Sequence, residues 1–176
     1  ILDSPMNAWD FQQIQSRSAA PGLSNARLLH DSIVKKFHGE SIDGTMYRKV
    51  FITSEKGEQI LGRSLSRRQD LHRDINSYFS DIGLSKEAML WSCPIVSHLE
   101  DVLQAHSFRK HIVDLIDDER EFATSDASKN EKNAHYQKII KTADIVITNN
   151  HVMKDRFDDL AGGAIAVIEN GVERKS

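Results

Sequence analysis

ADIVITNNHVMKDRFDDLAGGAIAVIENGVE, residues 143–173, is the stretch that decides the fold class. Its two ends, Asp144 to Thr148 and Ala164 to Ile168, are short runs rich in Val and Ile whose apolar residues are consecutive rather than alternate. That is how a strand buried on both faces reads. Between them Met153, Phe157 and Leu160 recur at the three- and four-residue spacing of one helix face. Strand, helix and strand in this order make a crossover unit, whose strands run parallel and whose connection is right-handed.

Working outward, the same alternation extends towards the amino terminus. Lys49 to Thr53, Ala88 to Cys93 and His111 to Ile116 are further β-rich runs. Helical spacing links Leu29, Ile33 and Phe37, then Leu71, Ile75, Tyr78 and Ile82. It recurs in Leu99, Val102, Leu103 and His106, and again in Tyr136, Ile139, Ile140 and Ala143. The pattern predicts an α/β fold with a parallel sheet covered by helices on both faces. Ile1 to Ser4 reads as a further strand, but Pro5, Asn7 and the polar run Gln12 to Ser18 make the first forty residues the least regular part. Glu121 to Asn133 (EFATSDASKNEKN) is polar and reads as an exposed loop leading into the helix of Tyr136.

Composition narrows the function classes. The chain has 176 residues, 39% of them hydrophobic, enough to bury a core without disulfides or a structural metal. Its 23 basic and 26 acidic residues give a net charge of −3, which argues against a nucleic-acid partner. Cys93 is the single cysteine, so no internal disulfide forms, which fits a cytoplasmic location. No run reaches the ~20 apolar residues of a membrane span. An Ile at the start and a hanging GVERKS tail suggest a segment of a longer polypeptide.

Ligands of open parallel sheets sit beyond the carboxyl ends of the strands. That rule selects Ser92 to His98, Asp117 to Arg120, Asn149 to His151, and Asn170 with Gly171. Asp117, Asp118, Glu119 and Arg120 place carboxylates and a guanidinium where they suit hydrogen-bonding sugar hydroxyls or steering a cation; the alternative is a helix cap with solvated neighbours. In WSCPIVSHLEDV, Ser97 is placed to cap a helix that carries His98, a hydrogen-bonding candidate, whereas Trp91 reads as core more readily than as a stacking platform. Asn149 and Asn150 serve either as turn residues or as ligand contacts. Cys93 reads as a small buried filler. Phosphate-loop and dinucleotide signatures are missing, no H-E-x-x-H occurs, and no aspartate pair is separated by one residue, so no cofactor and no metal is assigned.

The ordered segments MLWSCP, HIVDLIDDEREF, KTADIVITNNHVMKDRF and AIAVIENGVE, which span Met89 to Glu173, about half of the chain, resemble the second half of the acceptor-side, Rossmann-like domain of retaining GT-B glycosyltransferases. In that group "A-D-x-V-I-x-x-S" is followed by a short helix and by "I-x-V-I-x-N-G-V-[DE]". Ala143, Asp144, Val146 and Ile147 fill the first, with Asn149 or Asn150 where serine is common. Ile165, Val167, Ile168, Asn170, Gly171, Val172 and Glu173 fill the second, with Glu169 where proline is usual. Val113 to Asp118 approach "Y-D-x-x-D-D". SPMNAWDF has no glycine where the family carries a glycine-rich loop, and the family's glutamate pair occurs nowhere in the chain.

The resemblance implies residues 1–169 as an acceptor-side domain and residues 170–176, with Asn170 and Gly171, as the start of a hinge. Catalytic residues would lie in a further donor-binding domain. The implied activity is metal-free transfer, with retention, from a nucleotide-sugar to a glycan or a lipid-linked acceptor. A lipid-linked acceptor would bring the enzyme to a membrane surface. Asp117, Asp118, Arg120, His98, Asn149 and Asn150 are then the acceptor-binding candidates, and this segment alone should fold but transfer no sugar. Two other readings remain: a stand-alone ligand-binding or receiver-like module, and half of a GT-B-fold sugar-nucleotide epimerase.

Overall fold

The computed structural model describes residues 1–20, 22, 24–93, 98–161 and 164–169. Within the stretch read as one domain, the chain divides into two compact units, Ile1–Asp81 and the part from Ile82 onward. The described residues hold six α-helices and a four-stranded parallel sheet, a mixed α/β architecture.

The first unit is more regular than its sequence suggests. Strand β1 (Met6–Asn7) leads into helix α1 (Ala8–Ser18), whose start is fixed by Asn7, its side-chain oxygen accepting from the Asp10 amide at 2.8 Å. The polar run Gln12 to Ser18 is therefore helix, because Ala8 and Phe11, with Ile14 half-buried beside them, pack one side while most of the rest faces water. Helix α2 (Ser24–His38) buries Ile33 and Phe37, and both helices share a core with Val50, Ile52, Ile60 and Leu65. The expected first strand is reduced to one parallel bridge, Leu2 to Lys49. Pro5 has no N–H to continue that ladder, and pairing resumes at β1, which runs parallel to β4 (Ile52–Thr53).

Two hairpins, β2 (Glu40–Ile42) with β3 (Met46–Arg48) and β5 (Gln59–Ile60) with β6 (Arg63–Ser64), decorate this unit. Each turns through consecutive positive-φ residues, Asp43 and Gly44 in one, Leu61 and Gly62 in the other. That backbone matches strand twist and favours glycine at its second position. Lys49 is 7% exposed, with Nζ 5.4 to 5.5 Å from the rings of Phe37, Phe51 and Tyr78 and donating to the Phe37 carbonyl. Burial, and then the charge of Arg63, lower its pKa. Helix α3 (Leu71–Asp81) closes the unit with Leu71, Ile75 and Phe79 inside.

The second unit follows the predicted alternation: β7 (Met89–Ser92), α4 (Leu99–Ala105), β8 (Lys110–Leu115), α5 (Asp126–Thr142), β9 (Ile145–Thr148), α6 (His151–Ala161) and β10 (Ile165–Val167). All four strands are parallel and lie in chain order, with Trp91 beside Ile112, Ile112 beside Ile145 and Ile147 beside Ala166. A consecutive order with one hand of crossover sends every connecting helix to the same side. The core shows this directly. Val113, Leu115, Val146 and Ile165 from the sheet pack with Leu99, Tyr136, Ile139, Ile140, Met153 and Phe157 from α4, α5 and α6.

The expectation of helices on both faces is therefore corrected for this unit: its own crossover helices cover one face. Trp91, predicted to fill the core, belongs to the alternate set of positions and is 60% exposed, its indole N–H donating to Asp114 at 3.1 Å. The predicted loop Glu121 to Asn133 is corrected as well. Ser125 caps α5 by accepting from the Ser128 amide at 3.2 Å, so the segment from Asp126 is helix. Its first two turns are polar because the buried contacts of α5 begin at Tyr136.

Candidate functional site

Beyond the carboxyl end of β8 the chain passes through Asp117 and Asp118 into a 3₁₀ turn, Glu119–Phe122. Asp118 has a side chain only 5% exposed. Its Oδ1 accepts from the Arg120 amide at 3.1 Å, and its two oxygens take Arg120 Nε at 2.7 Å and Nη2 at 2.9 Å. Burial alone would raise the pKa of this carboxyl, but the hydrogen bonds and charge of Arg120, with Arg156 behind, hold it below 3.8. Arg120 also donates to the Asn133 side-chain oxygen at 3.0 Å and the Arg156 carbonyl at 3.1 Å, and its guanidinium lies 4.3 Å from the Phe157 ring centre.

Tyr136 completes the network. Its hydroxyl donates to the Asp117 carbonyl at 3.0 Å and accepts from the Glu119 amide at 3.1 Å, and burial pushes its pKa up to about 12. These two bonds tie the strand end to α5. Lys132 adds bonds to the Glu119 carbonyl at 2.8 Å and carboxylate at 3.3 Å. Asp117 itself keeps an exposed side chain.

Against this turn lies a pocket of about 380 Å³, lined by Asp118, Arg120, Glu121, Lys129, Asn130, Asn133 and Arg156. Arg156 reaches Glu121 at 3.0 Å and Asp118 at 3.8 Å. Sequence reasoning found Asp118 and Arg120 but missed Lys129, Asn133 and Arg156. The first two were hidden by reading 121–133 as a loop; as helix, they fall four residues apart on one side. Arg156 carried no signal, being one polar residue on a helix recognised by its apolar face.

The remaining candidates sit elsewhere in the chain. Asn150 accepts from the Met153 amide at 2.8 Å, capping α6, and donates to Asn149 at 2.6 Å. Asn150 thereby takes a turn role at the start of α6. His98 precedes α4 and is 2% exposed, so a bulky acceptor has no access to its ring. Ser97, Asn170 and Gly171 lie outside the described residues. Cys93, expected as a buried filler, is exposed. Partial loss of hydration, followed by the charges of Asp114 and Asp117, raises its thiol pKa, which keeps it protonated and weakly nucleophilic.

Deeper in the unit, Ser92 and His111 hydrogen-bond at 2.7 Å on adjacent strands, both buried. Burial lowers the His111 pKa below 6.5 against the raising effects of Thr142 and Asp144. A histidine depressed in the folded state binds its proton less readily there than in the unfolded chain. Its contribution to stability is complete above 6.5 and is lost as pH falls through the lowered folded value. Urea midpoints measured across this range should decline with acidification, and the His111→Gln variant should lack that part of the decline.

Among the described residues, no group of three or more His, Cys, Asp or Glu is placed to hold a metal, and no helix is long and apolar enough to cross a membrane. Compared with protein-family models, curated proteins and solved structures, the chain finds no match.

Proposed function

We propose that this chain is the acceptor-side half of a two-domain enzyme of the GT-B kind, which transfers a sugar from a nucleotide-sugar to a glycan or lipid-linked acceptor. The observation that carries the reading is the β9–α6–β10 unit. Its strands are adjacent and parallel, Val146 beside Ile165 and Thr148 beside Val167, and they belong to the sequence segments that resemble that family. The consecutive order of β7 to β10 also suits one side of the switch point in a doubly wound, Rossmann-like sheet, where successive strands move outward and their helices share a face.

In this reading the carboxyl edge of β8 faces the acceptor. Asp117, with its exposed carboxylate, is the group left to meet sugar hydroxyls, whereas Asp118 and Arg120 hold the edge in shape. That division disfavours a receiver-like module, which would need neighbouring strand-end carboxylates free for a cation. Retention at the anomeric carbon, and the catalytic groups that enforce it, belong to a donor-binding domain outside this chain. Closing two domains would supply positioning and exclusion of water.

The test is a transfer assay with a panel of nucleotide-sugars, run on this chain and on the product of its complete reading frame. The chain alone should fold and show no turnover, while the complete product consumes a donor and Asp117→Asn raises its acceptor KM. Turnover by this chain alone, or a complete product without a second α/β domain, would overturn the proposal.

A further inference from the structure

The pocket against the β8 turn holds three cationic side chains, Arg120, Lys129 and Arg156, and two carboxylates, Asp118 and Glu121. Counting charges understates its preference for an anion, because these groups are not equally available. Asp118 is buried and both its oxygens are engaged by Arg120, a charge-assisted fork that no ligand can open cheaply. Arg120 is likewise committed, to Asp118, Asn133, the Arg156 carbonyl and the face of Phe157. This pair, with side chains 13% and 5% exposed, forms a neutral wall.

What remains at the mouth is a set of donors. The Lys129 ammonium is exposed. Arg156 pairs with Glu121, their side chains 43% and 59% exposed, and stands 3.8 Å from Asp118; an ion pair this exposed yields readily to a competing anion. Asn133 has its amide orientation set by chemistry: its oxygen accepts from Arg120, which can only donate, so its NH2 end is the one turned to other partners. Ammonium, guanidinium and amide donors around a pocket with a neutral wall suit a compact oxyanion with several acceptor oxygens.

We infer that this pocket binds a phosphoryl group, held by Lys129, Arg156 and Asn133, with Glu121 as a built-in competitor that the ligand displaces from Arg156. The site rests on the pocket's own chemistry and does not require the sugar-transfer reading. Free phosphate and the phosphate of a larger monoester share this chemistry. The pocket, about 380 Å³, has room for more than the anion, so a phosphorylated small molecule fits as well as the free ion.

The test is titration of the chain with inorganic phosphate and, separately, with glycerol 3-phosphate, followed by amide shifts and by calorimetry. Saturable binding of either, with shifts centred on Lys129, Asn133 and Arg156, is the expected result; a tighter monoester identifies the larger ligand, and equal or weaker binding identifies the free ion. Lys129→Ala should weaken binding by about tenfold, the loss of one charge-assisted contact. Glu121→Gln should tighten it by about threefold, since it removes an exposed competitor. Both residues are exposed, so both variants should fold. Absence of saturable shifts in the wild-type chain, or unchanged affinity in both variants, would overturn the assignment. Because the assay uses neither donor nor sugar acceptor, its outcome is separable from that of the transfer experiment.

Discussion

Replacement of Arg120 by methionine is expected to destabilise the second unit by about 3 kcal/mol, the cost typical of removing one partner from a buried ion pair. Methionine can occupy the space of the arginine stem against Phe157, so the loss is chiefly electrostatic. It leaves Asp118 buried with Arg156 at 3.8 Å as its remaining cation. Asn133 and the Arg156 carbonyl lose donors in the same step. Urea unfolding followed by circular dichroism measures the change. The double variant Asp118→Leu with Arg120→Met should recover much of it, because removing both charges removes the stranded carboxylate.

The pH dependence distinguishes this explanation from lost packing. The carboxyl of Asp118 titrates below 3.8 in the folded chain, so its stabilising effect is complete above 3.8 and disappears as pH falls through the depressed value. Without Arg120 the folded carboxyl is buried with less compensation and its pKa rises. The gap between wild type and Arg120→Met should therefore be widest near neutrality and shrink in acid. A gap independent of pH would mean that packing, not the ion pair, accounts for the cost.

The sheet of the second unit was legible in its sequence because strands with few polar interruptions announce themselves: all four predicted runs hold strands within a residue or two. The helices with apolar spacing were legible for the same reason. Helix α1 was not, since a helix that buries little beyond Ala8 and Phe11 has a weak period, and its start depends on one Asn7 cap. The amino-terminal part of α5 was hidden likewise, because nothing in DASKNEKN needs to be buried until Tyr136 arrives. Trp91 reads as core from its residue type, but its register on an edge strand is the deciding factor.

The site was legible only as a strand-end cluster. Asp118 and Arg120 are two residues apart, and proximity in sequence suggested a shared polar role but not their commitment to each other. Lys129, Asn133 and Arg156 reach the same pocket from two helices that follow different strands. The four-residue spacing within α5 pairs Lys129 with Asn133, but only the crossover geometry brings Arg156 to them.

Phe157→Ala is the second large effect, an expected loss of about 4 kcal/mol from a fully buried aromatic replaced by a methyl group. Phe157 is 0% exposed and meets the Tyr136 ring edge-on, with centroids 4.7 Å apart, while its own face carries the Arg120 guanidinium at 4.3 Å. The truncation therefore opens a cavity and removes the surface over which a cation is held. Phe157→Leu separates the two contributions: it refills most of the volume but restores no aromatic face, so it should retain part of the loss. If the ring matters to the ion pair, Phe157→Leu and Arg120→Met will not add, and their cycle should show coupling of about 1 kcal/mol. Strict additivity would mean that Phe157 acts by volume alone. The coupling would instead tie the packing of α6 to the turn after β8, so that the hydrophobic core directly supports the polar edge where a ligand is proposed to bind.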